Sequence, residues 1–243
     1  STVEKLIAAG ADVEKAVTDG RTPLWMAAQN GHTSTVEKLI AANADVDKVR
    51  TTDGVTPLFM ATQNGHTSTV EKLIAGGADV NKATTDNGST PLFMAAQHGH
   101  TSTVEKLIAA GADVNKARTD NGYTPLFMAA QDGHTSTVEK LIAGGADVNK
   151  ARTDNGCTPL FMAAQDGHTS TVEKLIAGGA DVDNARTTDG ATPLLMAAQN
   201  GHTAIVSKLL QHGADKLIRG WQNETPLEAA QRHSHAAIIT LLA

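Results

Sequence analysis

The chain has 243 residues, a formal net charge of −6, and 40% apolar but only 3% aromatic side chains. One Cys excludes a disulfide framework, and the acidic balance argues against a nucleic-acid surface. A 19% charged fraction with only 7 Pro is not the composition of a disordered chain, and no apolar run approaches the roughly 18 residues of a membrane span. The expectation is a soluble, folded, cytoplasmic protein.

In chain order, residues 1–9 read as one short helix, with Ser1-Thr-Val-Glu-Lys-Leu-Ile7 at its core. After it every proline sits in a Thr-Pro pair: Pro23, Pro57, Pro91, Pro125, Pro159, Pro193 and Pro226. Their spacing is 34 residues, and 33 at the last step. Block 86–119 differs from block 120–153 only at Ser89/Tyr123, His98/Asp132 and Ala110/Gly144. A fixed period of this length marks a tandem repeat array. The expected units are a partial repeat at 1–17, repeats at 18–51, 52–85, 86–119, 120–153, 154–187 and 188–220, and a capping unit at 221–243.

Unit 52–85 shows the local logic. Asp53-Gly54 predicts a type I′ turn, which favours Asn or Asp before Gly. Thr56 predicts a helix cap, with Pro57 at the first helical position where its missing N–H costs nothing. The helix runs to about Asn64, and Gly65 ends it in the left-handed conformation. Thr67 or Ser68 predicts a second cap, and Ser68-Thr-Val-Glu71 fits a capping box. Val70, Leu73 and Ile74 then share one helix face, with Glu71 and Lys72 pointing away. Gly76-Gly77 ends this helix, and Asn43 serves the same purpose one unit earlier. The first helix is too short to be stable in isolation, so each unit must bury its faces against its neighbours. The last unit differs: it lacks the turn Gly, carries Glu228 and has Ser234 in place of Gly. Such polar substitutions predict a terminal cap.

The string Gly-x-Thr-Pro-Leu-x-x-Ala-Ala-x-x-Gly-His, followed by Leu-Ile-x-x-Gly-Ala-Asp-Val-Asn, resembles the ankyrin repeat over essentially the whole chain. The resemblance implies an all-α repeat solenoid of paired antiparallel helices with β-hairpin loops. It further implies a curved array whose concave face binds other proteins. Tetratricopeptide repeats share the period of 34 but need two longer helices. The family usually has His directly after Thr-Pro-Leu. Here Trp25, Phe59, Phe93, Phe127, Phe161, Leu195 and Glu228 stand there, so apolar packing between units should replace its hydrogen bonds. Thr35, Thr69, Thr103, Thr137 and Thr171 stand where the family commonly has Ile, which reduces the expected apolar core volume between units. The array starts within a second helix and its units are nearly identical, which suits a fragment, a recent duplication or deliberate design.

No cofactor, metal or catalytic site is expected. The Gly-His residues His32, His66, His100, His134, His168 and His202 read as structural imidazoles bonding near the helix junction. Units stacked about 8–10 Å apart cannot share one zinc through ligands at about 2.0–2.1 Å. His98/His100 and His233/His235 are i, i+2 pairs, which do not face each other on a helix. Cys157 reads as an exposed, inert thiol at a turn. The invariant Gln29, Gln63, Gln97, Gln131, Gln165 and Gln199 read as a hydrogen-bonded ladder or a solvated edge.

Positions that vary between otherwise identical units are free of the shared packing problem. One such register is the turn: Arg21, Val55, Ser89, Tyr123, Cys157, Ala191 and Glu224. The other is the end of the first helix: Asn30, Asn64, His98, Asp132, Asp166, Asn200 and His233. In ankyrin repeats both registers face the concave side, so they form the expected partner surface, centred on Tyr123, Asp132 and Asp166. The expected function is a non-catalytic scaffold for a protein or extended peptide. The alternative is a structural array with no partner of its own. The chain is expected to be monomeric, with end-to-end stacking through the apolar face of residues 1–9 as a variant.

Overall fold

The computed structural model describes residues 2–243, in two compact units that divide between Asp120 and Asn121. Ser1, expected to open the first helix, lies outside the described residues. The first unit holds α1 (Thr2–Ala8), α2 (Pro23–Gln29), α3 (Thr33–Ala41), α4 (Pro57–Gln63), α5 (Thr67–Ala75), α6 (Pro91–Gln97) and α7 (Thr101–Ala109). In it α2, α4 and α6 pack side by side, backed by a second layer of α1, α3, α5 and α7. The second unit holds α8 (Pro125–Gln131), α9 (Thr135–Ala143), α10 (Pro159–Gln165), α11 (Thr169–Ala177), α12 (Pro193–Asn200), α13 (Thr203–Gln211), α14 (Pro226–Arg232) and α15 (Ala236–Leu242). Its layers are α8, α10, α12 and α14 against α9, α11, α13 and α15.

The first helices begin as their sequence dictates. Thr56 Oγ1 accepts the N–H of Phe59 at 3.0 Å, and Pro57 needs no partner at the first position. Gly65 then turns left-handed at φ +71°. The second helices begin differently from expectation. His66, not Thr67 or Ser68, is the capping residue, and its side chain makes no capping bond. Glu71 is drawn away from any capping box by Lys106 of the next second helix, at 2.6 Å. Likewise Lys72 reaches back to Glu37 at 2.7 Å, so these charges tie units together. Val70 and Leu73 are buried on the inner face, as their spacing predicts.

Of the threonines that replaced Ile, Thr69, Thr103, Thr137 and Thr171 are buried and Thr35 is half-buried. Thr33 and Thr69 hydroxyls meet at 2.8 Å, as do Thr67 and Thr103 in the first unit and Thr135 and Thr171 in the second. A hydrogen bond satisfies each hydroxyl where a branched apolar side chain would otherwise fill space.

The connecting segments contain no strand among the described residues, which corrects the expected β-hairpins. Nor are the turns type I′, which needs two left-handed residues. Only Gly54 has positive φ, at +74°, while the Asp53 carboxylate accepts the N–H of Val55 at 3.2 Å. The side chain supplies the turn bond, as Asn and Asp commonly do. In the last unit Ser234 keeps the left-handed conformation at φ +60° without being Gly. Glu228 is exposed and forms a true capping box with Thr225.

Two substitutions test this packing. A Cβ on Gly65 would lie 2.8 Å from the His100 imidazole, at a positive φ. Gly65→Ala should lower unfolding free energy by about 1–2 kcal/mol in chemical denaturation. Thr62 stands where α2 and α6 have Ala, and its fully buried hydroxyl has no hydrogen-bond partner among the described residues. Thr62→Ala should raise unfolding free energy by about 1 kcal/mol in the same measurement.

Candidate functional site

The aromatic stripe is core. Trp25, Phe59, Phe93, Phe127 and Phe161 are buried at the start of the first helices. Trp25 packs with Val55, Phe59 and Met60, and its indole N–H donates to the Val55 carbonyl at 3.1 Å. Over most of these rings lies an arginine from the following turn. Arg50 stands 5.3 Å from the Trp25 ring, Arg118 5.5 Å from Phe93, and Arg186 5.0 Å from Phe161. Each guanidinium is held by a carboxylate of its own turn: Arg50 by Asp53, Arg118 by Asp120, Arg152 by Asp154 and Arg186 by Asp189. A guanidinium over a ring face is attracted by the ring quadrupole and, unlike Lys, presents a flat fork that satisfies a carboxylate at the same time.

Arg50 holds the Asp53 carboxyl below the ordinary carboxylate range, and Arg186 does so for Asp189. Both carboxylates therefore stabilise the fold above the unfolded-state range, and that contribution is lost as pH falls through their depressed values.

Burial corrects the expectation for the turn register. Val55, Ser89, Cys157 and Ala191 are buried, the most exposed at 4%. They fill a slot beneath the next turn instead of standing at a tip. Tyr123 is half-buried, stacked 4.9 Å from Phe127 with the Arg152 guanidinium 4.4 Å above its ring. Arg21 and Glu224 are also half-buried. Burial likewise corrects the expected exposed thiol, and pushes the Cys157 pKa up.

The helix-end register is exposed throughout: Asn30, Asn64, His98, Asp132, Asp166, Asn200 and His233. Where the residue is Asn it bonds backward. Asn64 donates to the Gln29 carbonyl at 2.9 Å, and Asn200 to the Gln165 carbonyl at 2.8 Å. Asp cannot donate, so Asp132 and Asp166 leave this bond unmade and present negative charge.

The Gly-His imidazoles are structural, but their bond is not local. His66 meets the Gln29 carbonyl at 3.1 Å, His100 that of Gln63 at 3.1 Å, and His168 that of Gln131 at 2.9 Å. The ladder thus uses the carbonyls of the invariant glutamines. Although two residues apart, His98 and His100 have ring centroids 5.8 Å apart, and His233 and His235 6.0 Å. The helix rule does not apply, because left-handed Gly99 or Ser234 stands between them. Among the described residues no group of three or more His, Cys, Asp or Glu could hold a metal, and no helix is long and apolar enough to cross a membrane.

In the first unit a groove of about 290 Å³ opens between turns and first helices. It brings together predicted Val55 and Ser89 with Arg50, Phe59, Met60, Gln63, Thr84, Asp86, Met94, Gln97 and Arg118. The arginines were not anticipated as site residues. Their signal was visible: Arg50, Arg118, Arg152 and Arg186 each stand seven residues before a Thr-Pro proline, and Thr84 alone interrupts the series from 50 to 186.

The family model described as "Ankyrin repeats (3 copies)" matches overlapping stretches at residues 1–84, 24–118, 65–152, 92–186, 126–220 and 160–243. No curated protein matches the chain. Among solved structures, the human ASB11 ankyrin repeat domain aligns with a TM-score of 0.78 and 29% identity, covering 92% of this chain and 98% of that one. The ankyrin repeat domain of Bcl-3, a unique member of the IkappaB protein family, aligns with a TM-score of 0.79 and 26% identity, covering 91% and 99%.

Burial and a raised pKa should make Cys157 slow to react with a water-soluble disulfide reagent at neutral pH. Its rate in the folded protein should be about tenfold or more below that in denaturant. Equal rates would place the thiol at the surface.

Proposed function

The chain belongs to the ankyrin repeat family, and we propose that it is a non-catalytic scaffold that binds a protein or extended peptide along its concave face. Ankyrin repeat domains generally mediate protein–protein interaction. The observation that carries the reading is the exposed helix-end register. Asn30, Asn64, His98, Asp132, Asp166 and Asn200 differ between units whose surrounding residues scarcely change, and all meet solvent. Solvent-facing change on a fixed scaffold lets an array select a partner without disturbing its packing. Of the turn register, Arg21 and Tyr123 are accessible enough to join this surface. Ser89 and Cys157 act beneath it, in the units whose rings lie under Arg118 and Arg186, while over the unit of Val55 the same register holds Thr84. Asp132 and Asp166 add negative charge, and with the formal charge of −6 they favour a basic or amide-rich protein segment over nucleic acid. The chain acts as a monomer in the cytoplasm under this reading.

A photo-crosslinking residue at Asn64, His98, Asp132 or Asp166 tests it in cell extract. These positions should capture the same protein, while Ala143 and Ala177, exposed on the second helices, should not. Capture from Ala143 and Ala177 instead would move the interface to the outer layer. No capture from any position would favour a structural array without a partner.

A further inference from the structure

One turn in the first unit lacks the arginine that its neighbours carry. Thr84 stands in the register of Arg50, Arg118, Arg152 and Arg186. The backbone there is unchanged. Thr84 N–H donates to the Ser89 carbonyl at 2.9 Å, as Arg50 does to Val55 at 2.9 Å and Arg186 to Ala191 at 2.8 Å. A side chain at residue 84 therefore leaves the backbone where the arginines do. Thr84 turns inward instead, its hydroxyl donating to Asn87 Oδ1 at 3.0 Å.

Two groups that a guanidinium engages elsewhere are left without one. The first is the Phe59 ring. It is 6% exposed, against 0% for Trp25, 1% for Phe93 and 0% for Phe161, whose rings lie under Arg50, Arg118 and Arg186. Among the described residues no cation stands over Phe59. The second is Asp86. It holds the register of Asp120 and Asp154, which bind Arg118 and Arg152 at 2.5 Å each. Asp86 is exposed, and among the described residues its Oδ1 accepts only the N–H of Asn87, at 2.8 Å.

Phe59 and Asp86 line the same groove. That groove also holds Arg50 and Arg118, but both are already held by their own carboxylates, Asp53 and Asp120. The charge left over is therefore that of Asp86. Met60 and Met94 wall the space, and a thioether packs well along an aliphatic stem.

We propose that this groove is a socket for an arginine side chain of the protein partner, its guanidinium lying over Phe59 and paired with Asp86. The inference rests on the scaffold reading above and names the chemistry of its contact. An arginine supplied by a partner would complete the pattern that other turns complete for themselves. Lysine fits less well, because the internal pattern uses a flat fork that meets ring and carboxylate at once.

The test uses the folded chain and N-acetyl-arginine amide as probe, followed by NMR. The probe should shift the Phe59, Asp86 and Met94 signals saturably, with a dissociation constant in the millimolar range expected of a single side chain. N-acetyl-citrulline amide, equal in shape but uncharged, should bind about tenfold or more weakly. Asp86→Asn should weaken the arginine probe similarly. Thr84→Arg should fill the socket from within and abolish the shifts, with the helical circular dichroism unchanged. Equal binding of citrulline, or undiminished shifts in Thr84→Arg, would overturn the proposal. A crosslinked partner whose capture is indifferent to Thr84→Arg would overturn the arginine socket and leave the scaffold standing. Absence of any crosslinked partner would count against the scaffold itself.

Discussion

No helix in this chain can hold its own shape. The first helices span seven residues in most units, and the second helices nine, below the length at which an isolated helix persists in water. Each is kept helical by what it lies against. Packing between neighbouring repeats is therefore the interaction on which the rest depends. In most units the same couplings, buried or partly so, return: an aromatic ring beneath the next turn, a glutamine carbonyl facing the next histidine, and a threonine hydroxyl facing the next threonine. The Lys–Glu pairs on the second helices repeat as faithfully, but they are roughly half exposed and contribute little. Register comes from the buried set.

Those couplings explain which features were legible in the sequence. Thr56, Pro57 and Gly65 act through their own backbone, so their roles followed from residue type. The period fixed the number and order of helices for the same reason. What could not be read were the features that depend on the adjacent unit. Glu71 looks like a capping-box residue until Lys106 claims it. His66 looks like a local imidazole until its bond to Gln29, 37 residues earlier, is seen. Asp53-Gly54 signals a two-residue hairpin, but the Asp53 carboxylate takes over the bond that a second left-handed residue would have arranged.

The site was half legible, for a related reason. Both variable registers were found, and the helix-end one does face solvent. The turn register varies while buried, which inverts the usual link between variation and exposure. A rigid core would not tolerate Ser89, Cys157 and Tyr123 in one position. Here the roof of the slot is an arginine on a long stem. Over Cys157 the Arg186 guanidinium rests at 5.0 Å from Phe161, and over Tyr123 the Arg152 guanidinium sits at 4.4 Å from the tyrosine ring itself. A cover that can move lets the volume beneath it vary.

Variation in a repeat array is thus of two physical kinds. At the helix ends a change alters what solvent or a partner meets directly. Beneath the arginines a change alters only the height of the lid. Where the lid residue itself changes, the consequence is larger than either, because a ring and a carboxylate lose their common partner together. Thr84 is a small, polar residue in an exposed-looking connecting segment, and nothing in its type marks it as important. Its significance lies in the arginines that hold the same place in the turns at 50, 118, 152 and 186, and in the groove that its shorter side chain leaves open beside Phe59.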